Sequence, residues 1–429
     1  MNRTLQPTVY SLEQIDIQRP VEERMPNGVP LNIIHCGKQE VVRLDIVFEG
    51  GRWQQERKLQ ALFTNRMLRE GSCTYTSAEI ANKLDYYGSW LELSTSMEHS
   101  FITLYSLNKY FKETLGIIES LIKEPLFPEK EFSTVVETNI QSFLINSSKV
   151  DYQAYRSLMM NVFGEEHPCG KMVSEQDYRT INTNSLRDFY ERYYHSEGCR
   201  LFISGLVTDE ILNEINRAFG RETFGKKKLF LADRKEYTIH TSPEKRFFTE
   251  KEDAMQSAIK MGCSTIARTH PDYLNYRVLI TLFGGYFGSR LMSNIREEKG
   301  YTYGISAGTS FYPGTGLLLV STEAANEYVE AVVSEVYHEI DLLQNELVSE
   351  QELSMVKNYM LGEMCRNYES AFSLSDAWIF IQTNKLENNY FSRSLQAVKE
   401  VTATDIRDLA CRYLCKENLK EVIAGKKML

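Results

Sequence analysis

Residues 185–205, SLRDFYERYYHSEGCRLFISG, and residues 405–425, DIRDLACRYLCKENLKEVIAG, align without a gap at an offset of 220. Arg187/Arg407, Asp188/Asp408, Arg192/Arg412, Tyr193/Tyr413, Glu197/Glu417, Ile203/Ile423 and Gly205/Gly425 are identical across the pair. Glu129-Lys-Glu131-Phe-Ser133-Thr-Val135 and Glu350-Gln-Glu352-Leu-Ser354-Met-Val356 repeat at an offset of 221. Chance matches have no reason to share order and spacing, so the chain is a duplication at domain scale. The period far exceeds the roughly 20–50 residues of a solenoid unit. The expectation is one unit built twice, with Gly205 and Gly425 at equivalent strand ends.

Length alone, 429 residues, suggests about three domains of ~150 residues. The repeat replaces that estimate with two, 1–220 and 254–429. Residues 221–253 carry 16 charged side chains in 33 and read as an exposed connector. A hydrophobic content of 42% suffices for a core in each half. The formal charge of -9 and pI near 5.5 argue against a nucleic-acid partner. The basic triplet Lys226-Lys-Lys228 falls in the connector. No apolar run reaches the ~18–20 residues of a spanning helix, so no membrane partner is expected. The first 17 residues lack the apolar region of a secretory signal. The eight cysteines form no Cys-x-x-Cys, and only Cys411 and Cys415 have helical spacing. Buried free thiols in a reducing compartment, the cytoplasm, are the expectation.

Both halves follow one plan. In the first, Val41–Phe48 alternates as a strand and ends at Gly50-Gly51. A helix over 59–68 follows, then strand-like Trp90–Thr95 and Phe101–Ser106, and a helix over 111–123. Pro125 and Pro128 bound a loop before a long helix from about 129. A helix over 185–194 leads into a strand at Arg200–Ser204. The second half repeats the order: strand Met255–Cys263, helix 271–283, strand Leu317–Ser321, helices 326–344 and 349–369. This predicts an α+β fold of two homologous domains, each a mainly antiparallel sheet with helices packed on one face. Gly284-Gly285-Tyr-Phe-Gly288 lacks the Gly-Lys-Ser/Thr ending of a P-loop and reads as a loop where helices pack closely.

Certain motifs resemble one family. Gly50-Gly51-Arg52 follows a strand, a helix ends in Met67-Leu68-Arg69-Glu70-Gly71-Ser72, and Ser96-Met-Glu98-His99-Ser comes later. In the second half Ser289-Arg290-Leu291 precedes Asn294-Ile-Arg296-Glu-Glu-Lys-Gly300-Tyr-Thr-Tyr303. Over essentially its whole length the chain resembles the pitrilysin/insulinase zinc metallopeptidases, which are built from paired α/β domains of this size.

The resemblance implies a metal site on the first helix, His-x-x-Glu-His, because i and i+4 aim two imidazoles at one zinc. The Glu acts as general base, and a second Glu about 75–80 residues downstream completes the ligand set. Anchored on Met67-Leu68, the pattern puts Leu62, Asn65 and Arg66 in the His, Glu and His places. The downstream position falls at Gln141, Ser142 or Phe143, none of them a carboxylate; Glu137 is several residues short. Leu cannot ligate, Asn is a poor base and Arg66 repels a cation. The seven histidines never come closer than 28 residues. His167 precedes Pro168 in a loop and His99 reads as a structural strand residue. No metal is therefore expected in this chain.

The family's C-terminal half lends an Arg and a Tyr, seven residues apart, to the active site, and Arg296 and Tyr303 match them by type and spacing. An Arg fork suits a peptide carbonyl or carboxylate, and a phenol can donate to a developing oxyanion. A surface charge beside a core aromatic would give the same pattern. The resemblance implies a non-zinc-binding subunit of a heterodimeric zinc endopeptidase. Its partner would be a homologous chain bearing His-x-x-Glu-His and the zinc, and its substrate an unstructured peptide. The alternative is a non-catalytic structural or peptide-binding subunit, or a homodimeric pseudo-peptidase. The resemblance places Trp90–Ser96 on the sheet edge that takes substrate as an added strand in active members; here it reads as an edge covered by a partner.

Overall fold

The computed structural model describes residues 17–225 and 237–427. The first half runs β1 (Val21–Arg24), β2 (Pro30–His35), β3 (Val41–Glu49), α1 (Gln60–Met67), α2 (Ser77–Tyr86), β4 (Trp90–Thr95) and β5 (His99–Leu107). It continues with α3 (Phe111–Lys123), α4 (Glu129–Ser147), α5 (Val150–Phe163), α6 (Glu175–Thr180), α7 (Thr183–Tyr193), β6 (Cys199–Gly205) and α8 (Asp209–Ile215). The second half runs β7 (Arg246–Glu250), β8 (Gln256–Thr265), α9 (Tyr273–Ile280), β9 (Thr302–Tyr312) and β10 (Thr315–Ala325). It closes with α10 (Val329–Asn345), α11 (Glu350–Arg366), α12 (Ala371–Thr383), α13 (Tyr390–Glu400), α14 (Ala403–Tyr413) and β11 (Lys420–Gly425).

The duplication is visible in the topology. The sheets have strand orders β1-β2-β6-β3-β5-β4 and β7-β11-β8-β10-β9, identical once β1 is set aside. In each, one pair is parallel (β2 with β6, β7 with β11) and the rest are antiparallel. The repeated segments are α7–β6 and α14–β11. Each helix starts on a side-chain cap: Asn182 Oδ1 accepts from the Ser185 N–H, and Thr402 forms a reciprocal capping box with Asp405. The repeated Arg192 pairs with Glu56 ahead of α1, and Arg412 pairs with Asp272 ahead of α9 at 2.6 Å. The repeat thus encodes, in each half, a brace from the helix before the parallel-paired strand (α7, α14) to the start of the first helix (α1, α9). A Cβ on Gly205 (φ +113°) would lie 2.3 Å from the Val41 carbonyl oxygen, and one on Gly425 would lie 2.0 Å from Ser257 Oγ. Neither strand end can carry a side chain.

Each half is the expected α+β unit with its own helices on one face of the sheet, and the second face is covered as well. One face packs its own helices, around Phe63, Leu115 and Leu186 in the first half and Leu279, Val336 and Leu409 in the second. The other is covered by a helix from the opposite half. On α5, Ala154, Leu158, Val162 and Phe163 pack on Ala258, Leu317 and Val422 of the second sheet. On α12, Leu374, Trp378 and Ile381 pack on Ile34, Val47 and Phe202 of the first. Hence β3, which reads as a half-solvated alternating strand, is buried from Val42 to Phe48.

That burial includes charges. Arg43 Nε donates to Asp45 Oδ2 at 2.8 Å, and Arg43 Nη2 donates to Asp376 Oδ1 of α12 at 2.5 Å. Thr103 and Ser375 donate to the remaining positions of Asp45. Burial pushes the Asp45 carboxyl up, with Arg43 and Thr103 pulling against it. Lys260 occupies the equivalent place in the second sheet: it faces Val422 as Asp45 faces Phe202, and its Nζ is bound by Asp151 of α5 and Ser321 Oγ. Each half therefore closes a buried charge of the other.

Further differences are local. The charged stretch 221–253 is more than a connector, because β7 pairs with β11 inside it and Phe224 joins the first core. Lys226–Lys228 lies outside the described residues. Gly284 meets a strand rather than a helix, its place for a Cβ lying 2.5 Å from the Ala307 amide. Of the eight thiols, Cys169, Cys199 and Cys263 are buried, but Cys73, Cys365 and Cys411 are exposed. No described helix is long and apolar enough to cross a membrane.

The exchange of α5 and α12 predicts that neither half folds alone. A fragment of residues 1–225 would expose Ile34, Val47 and Phe202 and leave α5 without a sheet. It should bind a hydrophobic dye and lack near-ultraviolet dichroism, whereas the full chain should unfold in one transition. A cooperatively melting fragment would contradict the exchange.

Candidate functional site

The four vacant metal positions lie on α1 and α4, and each is committed elsewhere. Asn65 is 1% exposed. Its Nδ2 donates to the Ser94 carbonyl at 2.6 Å and the Phe101 carbonyl at 3.1 Å, and its Oδ1 accepts from Tyr194 Oη at 3.1 Å. The amide clamps α1 to β4, β5 and the residue following α7. Leu62 packs against the first core. Arg66 is exposed and donates to Asn139 Oδ1 of α4 at 2.9 Å. Ser142 is exposed, its Oγ donating to the Thr138 carbonyl at 3.0 Å. Phe143, beside it, packs on Tyr152 and Tyr178, and Glu137 faces solvent. Asn139, the residue that meets Arg66, carries no signal of its own in the sequence.

Among the described residues no group of three His, Cys, Asp or Glu side chains is placed to hold a metal ion. His167 is buried, stacked on Phe163 and edge-on to Trp53, and its Nδ1 accepts from the Cys169 N–H at 3.1 Å. Burial pushes its pKa down, as expected of a neutral packed imidazole. A carboxylate at position 65 would face two carbonyl oxygens. Asn65→Glu should therefore destabilise the fold by about 2–4 kcal/mol, through stranded buried partners. A denaturant titration checks this; an unchanged midpoint would contradict the clamp.

Arg296 and Tyr303 sit at the opposite end of the chain's chemistry. Arg296 lies on a widened helical turn, Met292–Glu298, and Tyr303 is the second residue of β9, the edge strand of the second sheet. The turn is held from behind. Arg290 forks onto Glu352 of α11 at 2.7 and 3.0 Å, and Asn294 Nδ2 donates to Glu335 at 3.1 Å and Glu339 at 2.6 Å. Leu291 is fully buried. Much of the Ser-Arg-Leu…Asn signature is thus scaffold, and the repeated Glu352 is part of it.

What the scaffold presents is open to solvent. Tyr303 is 91% exposed and Phe287 60%. The Arg296 guanidinium lies 4.5 Å from the Phe287 ring, and no described carboxylate pairs with it. Tyr303 is therefore no core aromatic. The corresponding edge of the first sheet is β4, where Trp90 is 66% exposed. A phenol, a guanidinium and a strand edge with unused backbone groups can bind an extended peptide. They contain no general base or metal ligand set for cleaving one.

Comparison with known proteins agrees. The family model described as insulinase, peptidase family M16, matches residues 34–166, and that described as the peptidase M16 inactive domain matches 180–360. An uncharacterized zinc protease of Rickettsia bellii is 25% identical over 299 residues, 68% of this chain and 69% of that protein. The non-peptidase homolog YmxG of Helicobacter pylori is 23% identical over 419 residues, 94% of this chain and 91% of that protein. The crystal structure of a peptidase M16 inactive domain from Pseudomonas fluorescens superposes with TM-score 0.83 at 19% identity, covering 96% of this chain and 99% of that one. With the doubled α+β unit, both family matches and no His-x-x-Glu-His in its sequence, the chain belongs to the insulinase family, as a member whose first helix lacks the metal motif.

Proposed function

We propose that this chain is the non-metal-binding subunit of a two-chain zinc endopeptidase, supplying Arg296 and Tyr303 to a site completed by a homologous partner bearing His-x-x-Glu-His. The observation that carries the proposal is the exposure of Tyr303. A phenol held 91% open near the start of edge strand β9, after a turn whose Arg296 guanidinium has no carboxylate partner among the described residues, has no packing role in its own fold. Such a group belongs to an encounter with something else. The substrate is an unstructured peptide, Arg296 holding a carbonyl or carboxylate and Tyr303 donating to the oxygen that gains charge when the scissile carbonyl is attacked. The partner's zinc supplies the Lewis acid. Three exposed, unpaired thiols support a reducing compartment, the cytoplasm.

Leu62, Asn65, Arg66 and Ser142 do not fit a zinc ion, so none is assigned to this chain. Purified alone and freed of any tag, it should carry far less than one equivalent of zinc by mass spectrometry and leave unstructured peptides uncut. One zinc per chain with chelator-sensitive cleavage would overturn the proposal. The second reading, a structural or peptide-binding subunit without chemistry, is favoured by the name borne by the Helicobacter relative. It predicts the same metal result but no dependence on Tyr303.

A further inference from the structure

A cavity of about 480 Å³ lies where α9, α12 and α13 meet β9. Two arginines line it without a carboxylate partner among the described residues. Arg277, from α9, uses one nitrogen within the protein, Nη1 donating to Ser394 Oγ at 3.2 Å and, weakly, to Tyr390 Oη at 3.4 Å. Arg268 donates through Nη1 to Asn384 Oδ1 and lies 4.6 Å from the Phe380 ring and 5.2 Å from Phe311. Its Nε is buried with no acceptor. Both charges bear on Tyr390, whose phenol burial pushes up while Arg277 and Arg268 pull against it.

Arg43 is paired with Asp45 and Asp376 and Arg290 with Glu352, whereas Arg268 and Arg277 meet only neutral partners among the described residues. An uncompensated sequestered cation costs several kcal/mol, so two converging on one cavity mark a place for an anion. Asp376 also lines the cavity, but its Oδ1 is bound to Arg43. The remaining walls are aromatic: Tyr273, Phe311, Tyr390 and Phe391. A second space of about 620 Å³, between the β4–β5 and β9–β10 hairpins, shares Arg268, Phe311, Asp376 and Phe380 with the first. The volume suits a small ligand or the end of a chain.

We propose that this cavity binds a carboxylate attached to an aromatic or apolar body, the carboxylate between Arg277 and Arg268 and the body among the rings. A guanidinium fork matches a carboxylate in shape as well as charge. A free aryl acid and the C-terminal residue of a peptide share this chemistry. The site is independent of Arg296 and Tyr303.

Calorimetry on the full chain tests it with N-acetylphenylalanine, N-acetylphenylalaninamide and a short peptide ending in phenylalanine. The acid should bind saturably, at least about ten-fold more tightly than the amide, a gap of about 1.4 kcal/mol. Arg277→Gln should weaken the acid about ten-fold or more; Arg268→Gln, on the cavity's other wall, should do the same and serves if the first variant does not fold. Tighter binding of the peptide than of the free acid identifies a chain terminus as the ligand, and the reverse identifies a small acid; either supports the site. No saturable binding, equal affinity for acid and amide, or an Arg268→Gln variant that binds like the unaltered chain would overturn it.

Discussion

Tyr303→Phe should lower kcat of the proposed two-chain enzyme, once reconstituted, by about 10²–10³, or about 2.7–4 kcal/mol, the cost of one transition-state hydrogen-bond donor. The change removes a hydroxyl and nothing else. Tyr303 is 91% exposed, so no packing is lost and stability should be unmoved. Arg296→Ala should act differently, raising KM more than it lowers kcat, because a guanidinium on a carbonyl or carboxylate binds ground and transition states alike. Steady-state kinetics of the two variants separate the roles. Full activity in both would make the pair structural and leave the non-catalytic reading in front.

Arg43→Ala should destabilise the chain by about 3–5 kcal/mol, the range for breaking a buried ion pair by removing one partner. Asp45 would remain 3% exposed, with only Thr103 and Ser375 donating to it. The link to Asp376 on the exchanged helix would also be lost. Replacing both charges, Arg43→Met with Asp45→Leu, should restore most of the stability, because no charge is then stranded. Urea titrations of the two variants check this. A single substitution costing less than about 1 kcal/mol would contradict the buried network.

The sequence carries the doubled unit well, because its signals are local. Helix α3 matches the expected span 111–123, and the strands at Val41, Trp90 and Phe101 lie where alternation puts them. The exchange of α5 and α12 leaves no such trace. Ala154, Leu158 and Val162 have helical spacing, but nothing in that spacing says which sheet the stripe will cover, since the receiving residues lie about 100–270 positions away. For the same reason Arg43 and Asp45 read as the wet face of an alternating strand. Strand β9 is masked by Gly304 and Gly308, which break its alternation. At the candidate site, Leu62, Asn65, Arg66 and Ser142 are legible as a vacancy, but the clamp made by Asn65 is not: its partners are backbone carbonyls, which no sequence pattern marks. Arg268 and Arg277 read as ordinary surface charges until the fold closes around them.

The central claim is complementation in trans, and activity measured before and after mixing tests it most directly. This chain and the homologous chain bearing His-x-x-Glu-His, each purified separately, should leave an unstructured fluorogenic peptide uncut or nearly so. Mixed in equal amounts, they should elute together on gel filtration and cleave the peptide in a chelator-sensitive reaction that saturates at one-to-one stoichiometry. Cleavage by the metal-bearing chain alone at the rate of the mixture would contradict the account.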